Sequence, residues 1–135
     1  MAAYRIREAA QLLAVSDDTL RRWIDAGRVT AAQDGAGPLS IEGSELARFA
    51  EEHAASTPRL SPLTTRESAR NHFVGLVTKV TRDTVMAQVE LQSGPNRIVS
   101  LMSREAADEL GLEPGVLAVA SIKSTNVVIE VPDRT

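Results

Sequence analysis

The spacing of apolar residues changes once along this chain, and that change limits what it can fold into. From Tyr4 to about Glu52 apolar side chains recur every three or four positions. They fall at Ile6, Ala9, Ala10 and Leu13, then Leu20, Trp23 and Ile24, then Leu46, Phe49 and Ala50. Such spacing lays one face of a helix against a core, and three helices fit it. After Ser68 the period becomes two: "TVMAQVELQ" sets Val85, Ala87, Val89 and Leu91 against Met86, Gln88 and Glu90, a half-buried strand. "NHFVGLVTKV", "NRIVSLM", "GVLAVASIK" and "NVVIEV" are further strand candidates, separated by "TRDT", "SGPN" and "EPG" turns. Between the two regimes lies "HAASTPRLSPLTTRES", whose two prolines break a helix or an inner strand.

The division expected is therefore α+β. A helical domain at 1–55 is followed by a linker at 56–67 and a small β-rich, barrel-like domain at 68–132. One short helix interrupts the strands: in "SREAADELG" Ser103 is placed to cap, Glu105 sits in the first turn and Gly111 follows the end. With 135 residues and only 3% aromatics, both cores must be small and aliphatic, and small cores often recruit other subunits.

Composition removes several function classes. There is no cysteine, which excludes disulfides, thiolate metal sites and cysteine nucleophiles. No apolar run approaches a membrane span and "MAAYRIREAA" lacks a secretory core, so a cytoplasmic protein is expected. His53 and His72 are the only histidines. Neither belongs to a recognisable nucleophile or metal constellation, so an enzyme is the weakest reading.

Within "YRIREAAQLLAVSDDTLRRWIDAGRV" a helix ending near Leu13, a three-residue turn and a second helix opening at Ser16 give helix-turn-helix spacing. Ser16 can accept a hydrogen bond from a free N–H of the second helix, and Asp17 and Asp18 suit its positive end. With Leu20 and Trp23 packed inward, Thr19, Arg21 and Arg22 face outward, and guanidinium groups suit both phosphates and guanine edges. Glu8 to Gly27 resembles the MerR and excisionase type of winged helix-turn-helix, "EAA..L.VS..TLRRW...G..", followed by a hairpin wing and a third helix. That resemblance implies DNA as partner, with Arg21 and Arg22 as the main contacts and Thr19, Arg5 and Arg28 as secondary ones.

Two features depart from that pattern. Ala14 stands at the bend where glycine is usual, at a cost of about 1 kcal/mol if the backbone is left-handed there. The wing "AAQDGAGPLSIEG" holds no Lys or Arg, and residues 1–55 carry six basic against nine acidic side chains. DNA binding is therefore expected to be weak and strongly salt-dependent.

In the second half, "SARN" at Ser68 to Asn71 and "SIKSTNVVIEV" at the far end form a pair. With "DELGL" and the strands between them, Ser68 to Val131 resembles the molbindin or Mop domain, also called TOBE. This is the OB-like β-barrel that binds molybdate and tungstate in storage proteins, transporter ATPases and ModE regulators. The chemistry agrees: a tetrahedral dianion offers acceptors and no proton, so its site needs donors and positive charge. Ser68, Arg70, Asn71, Lys123 and Ser124 supply these, backbone N–H groups around Ala69 and Ser124 can add to them, and neither motif contains a carboxylate. Ser100 is a further donor. The resemblance implies that Ser68, Ala69, Arg70 and Asn71 of one chain meet Lys123 and Ser124 of another, in a homo-oligomer of at least two chains and up to a hexamer. The whole reads as a molybdate- or tungstate-responsive, ModE-like transcription regulator, with molybdate storage, the helical part serving assembly, as the alternative.

Overall fold

The computed structural model describes residues 2–33, 35–57 and 68–133. The chain divides into two compact units, Met1–Arg59 and Leu60–Thr135. Most of the expected linker, 58–67, lies outside the described residues.

The first unit runs β1 (Ala3–Arg5), α1 (Ile6–Leu13), α2 (Asp17–Asp25), β2 (Ala32–Gln33), β3 (Leu39–Glu42) and α3 (Gly43–Ser56). Three helices form as the spacing predicts, but Ala3–Arg5 is a strand and not the start of a helix. It pairs antiparallel with β3, Tyr4 opposite Ile41, and β2 pairs with the other edge of β3 to make a hairpin wing. Helical spacing cannot reveal so short an edge strand, because its partner lies far along the chain. Ile6, Ala9, Ala10, Leu20, Val29, Ile41, Leu46 and Phe49 form the core. Burying Phe49, Leu20 and Ile41 completely contributes roughly 1.5–3 kcal/mol each.

α1 ends where Ala14 adopts the left-handed conformation, φ 58° and ψ 42°. Its N–H and that of Val15 return to the Gln11 and Ala10 carbonyls at 3.1 and 3.0 Å, satisfying the helix end. Ser16 then caps α2, its hydroxyl oxygen accepting from the Thr19 N–H at 3.2 Å. Across the wing, Glu45 accepts from the Thr30 N–H at 2.8 Å and from Arg48, which also reaches Glu52.

The second unit is one antiparallel sheet with strand order β6-β5-β4-β7 and a short helix. The strands are β4 (Asn71–Arg82), β5 (Met86–Ser93), β6 (Asn96–Ser103) and β7 (Leu117–Ile122), with α4 (Arg104–Glu109) between the last two. Ser103 caps α4 by accepting from the Ala106 N–H at 3.1 Å, and Gly111 takes the positive φ that ends it. Ala87, Val89 and Leu91 enter the core with Val77, Ala107 and Leu112. Val85 does not, being 67% exposed one residue before β5 begins. A turn built by Asp83, whose carboxylate accepts from the Val85 and Met86 N–H groups, holds it outside the ladder.

One expected strand is missing. "NVVIEV" pairs with nothing among the described residues: Ser124–Asn126 form a 3-10 turn, and Val128, Ile129 and Val131 are 82%, 81% and 87% exposed. The sheet is accordingly a half-barrel, with β6 and β7 as its two open edges. An apolar strand pattern records the wish for a partner and not whether one chain supplies it.

Candidate functional site

Two short segments meet at one end of the β4–β7 ladder. The register sets Asn71 opposite Ile122 and His72 opposite Ser121. Ser68, Ala69 and Arg70, just before β4, and Lys123 and Ser124, just after β7, therefore leave the sheet at the same end. The resemblance sets these segments together between two chains; within one chain the register already brings them to the same end. Asn71 fastens them, its side-chain amide donating to the Ile122 carbonyl at 3.1 Å.

His72 makes a second tie. Its Nε2 lies 3.0 Å from the Ala69 carbonyl oxygen, which can only accept, so Nε2 carries the proton. In the neutral ring Nδ1 then accepts from the Ser121 hydroxyl at 3.1 Å. Ala69 is buried and anchors its segment, whereas Ser68, Arg70, Lys123 and Ser124 are exposed. The 3-10 turn from Ser124 closes through Asn126 N–H to the Lys123 carbonyl at 2.9 Å. Such a turn leaves its first N–H groups without partners inside itself.

The charges at this end lack the carboxylate partners that four arginines elsewhere have. Arg48, Arg82, Arg97 and Arg104 each bind a carboxylate. Arg70 and Lys123 have no hydrogen-bonding or ionic partner among the described residues, and no carboxylate occurs in Ser68–Asn71 or Lys123–Asn126. Donors with uncompensated positive charge are what an oxyanion requires. Ser100 lies on β6, opposite Val89, two strands from β4. It lines instead an apolar trough of about 510 Å3 that also touches Ser121 and Ile122.

In the first unit the expected DNA contacts separate into two groups. Arg28 lies over the rings of Trp23 and Phe49, 5.1 and 5.5 Å from their centroids, so its guanidinium packs on the core's aromatic edge. Thr19 accepts from the Ser16 hydroxyl at 2.9 Å and from Arg22 Nη2 at 3.2 Å, which makes it part of the cap of α2. Arg5 and Arg21 are exposed and line a common groove. The groove also contains Arg7, in the first turn of α1, which the sequence reading does not name.

Residues 67–129 match the family described as TOBE domain, and residues 3–54 match a helix-turn-helix domain. Molybdenum-pterin-binding protein 1 of Clostridium pasteurianum is 40% identical over 63 residues, which cover 46% of this chain and 93% of that protein. The chain belongs to the TOBE family. Its TOBE unit is also similar to the molybdenum transport protein ModE of Herbaspirillum seropedicae, 37% identical over 71 residues, 52% of this chain and 26% of that one. Among solved structures, molybdate-bound ModG, a cytoplasmic molybdate-binding protein, shares 42% identity with a TM-score of 0.48, over 50% of this chain and 49% of that one. The TOBE unit thus follows a helix-turn-helix unit in this chain.

Proposed function

We propose that this protein is a molybdate- or tungstate-responsive, DNA-binding transcription regulator of the cytoplasm. The observation that carries the ligand is the meeting of Ser68–Asn71 with Lys123 and Ser124 at one strand end, where Arg70 and Lys123 lack anionic partners among the described residues. Molybdate at neutral pH is a pure acceptor and complements them. Phosphate, which keeps a proton to donate, is a poorer fit, and sulfate differs chiefly in size, so the preference for molybdate over sulfate rests on the resemblance. None of these residues forms an acid–base pair or a nucleophile, so the anion is bound and not transformed.

The assembly is a homo-oligomer, at least a dimer. The apolar trough between the open edges, lined by Val77, Leu91, Ile98 and Ala118, and the exposed tail at Val127–Val131 complement each other. A tail from a second copy would cover the trough and bring its Lys123–Ser124 turn toward Ser68–Asn71 of the first, as the resemblance implies. An anion between neighbouring cations strengthens the contact around it, so binding and assembly are linked.

Operator affinity is the test. Duplexes selected by the protein from a random pool, titrated by anisotropy at fixed salt, should bind with different affinity when molybdate is added. Equal affinities would remove the sensing claim. Storage is the second reading, favoured by the wing that holds no Lys or Arg. A store should take up more than one anion per chain in native mass spectrometry and ignore DNA.

A further inference from the structure

Arg5, Arg7 and Arg21 converge on one groove of about 460 Å3 in the first unit. Arg5 ends β1, Arg7 stands in the first turn of α1 and Arg21 lies in the middle of α2. The wing supplies the other wall through Gln33 and Pro38, and Asp17 at the start of α2 is the one carboxylate in the lining. Three separate parts of the fold therefore bring guanidinium groups to one place.

All three arginines are exposed, and none of their side chains has a hydrogen bond or an ion pair among the described residues. Among the described residues every other arginine except Arg70 has a partner. Arg48, Arg82, Arg97 and Arg104 hold carboxylates, Arg22 holds Thr19, and Arg28 rests on aromatic rings. Asp17 and Arg21 stand four residues apart on one helix, where opposite charges commonly pair, yet no ion pair joins their side chains. Three cations against one carboxylate leave the groove positive in a unit whose formal charge is negative.

We infer that this groove holds a backbone phosphate of duplex DNA, with Arg7 as a contact alongside Arg5 and Arg21. The inference rests on the DNA-binding reading and deepens it by separating grip from sequence reading. A guanidinium fork matches two phosphate oxygens at once, and phosphate contacts position a protein without selecting bases. An open, exposed groove walled by α2 and the wing suits a strand that passes through it, whereas a small free anion needs donors on all sides. Asp17 works against the bound phosphate, which gives the groove a residue whose neutralisation should act in the opposite direction to that of Arg7.

The full-length protein is titrated onto a fluorescent mixed-sequence duplex and onto a selected one, across a salt series starting at low ionic strength. Arg7→Gln should weaken binding roughly tenfold on both duplexes alike and reduce the slope of log K against log salt by about 0.9, one phosphate's worth. Asp17→Asn should tighten binding on both, and thermal melts should show that both variants remain folded. If wild type binds but neither substitution moves affinity or slope, the groove assignment falls and the DNA reading stands. If wild type binds no duplex at low salt, both fall. If Arg7→Gln weakens only the selected duplex, the residue reads bases and the phosphate assignment is wrong. If inorganic phosphate without DNA saturates the three arginines over the concentration range in which duplex binds, the groove is a free-anion site and the inference is overturned.

Discussion

The side-chain amide of Asn71 donates to the Ile122 carbonyl at 3.1 Å, and this bond joins two segments that stand 51 residues apart in the chain. It closes the end of the β4–β7 ladder from which Ser68–Arg70 and Lys123–Ser124 emerge. A buried or half-buried hydrogen bond of this kind contributes about 1 kcal/mol net. Its larger effect is to fix the distance between the two sets of donors.

Asn71→Ala should therefore lower stability by about 1 kcal/mol and weaken molybdate binding by more than that loss alone explains. Chemical denaturation gives the first quantity and calorimetric titration of the folded variant the second. Unchanged molybdate affinity would mean that the strand end does not organise the site.

Ala14 sits in the left-handed region at φ 58°. Ala14→Gly should relieve about 1 kcal/mol of backbone strain, offset in part by the freer unfolded chain, and so raise the melting temperature of the helix-turn-helix unit. A lower melting temperature would show that the turn has another shape.

Gly75 allows β4 to pass close to β5. A Cβ there would lie 2.2 Å from the Gln92 carbonyl oxygen and 2.8 Å from its carbon, both backbone atoms that cannot swing away. Gly75→Ala should cost on the order of 2 kcal/mol or more, measured by denaturant unfolding of the second unit. A neutral substitution would place the strand crossing elsewhere.

Glu45 has its pKa lowered to about 2, first by the hydrogen bond from Arg48 and then by the Thr30 N–H. Since the folded value lies below the ordinary carboxyl value of 4.5, the carboxylate's contribution is complete above that value and disappears as pH falls toward 2. Stability of the first unit should decline across this window, and Glu45→Gln should remove that part of the decline. Parallel pH profiles for the two proteins would contradict it.

Much of this was legible in the sequence because local chemistry determines it. The change of apolar period separates the two units, Ser16 and Ser103 cap the helices they precede, and the bend falls at Ala14. What was not legible depends on distant partners. β1 exists because Tyr4 meets Ile41, and Val127–Val131 has strand character but meets no strand among the described residues. For the sites, "SARN" and "KST" identify the donors, while their meeting at one strand end follows from the β4–β7 register. The resemblance names Arg28 as a DNA contact, while its place over Trp23 and Phe49 follows only from the fold. Arg7 is not legible in the sequence, because a groove formed by three elements leaves no pattern in any one of them.

The most direct test of the oxyanion site is isothermal calorimetry of the full-length protein with molybdate, tungstate and sulfate, repeated for Arg70→Gln and Lys123→Gln. Both side chains are exposed and have no partner among the described residues, so both variants should fold normally. Molybdate or tungstate should bind the wild type with measurable heat, sulfate should not, and each substitution should weaken binding at least tenfold, about 1.4 kcal/mol or more. Wild-type protein that takes up neither oxyanion, or variants that bind as the wild type does, would contradict the site described here.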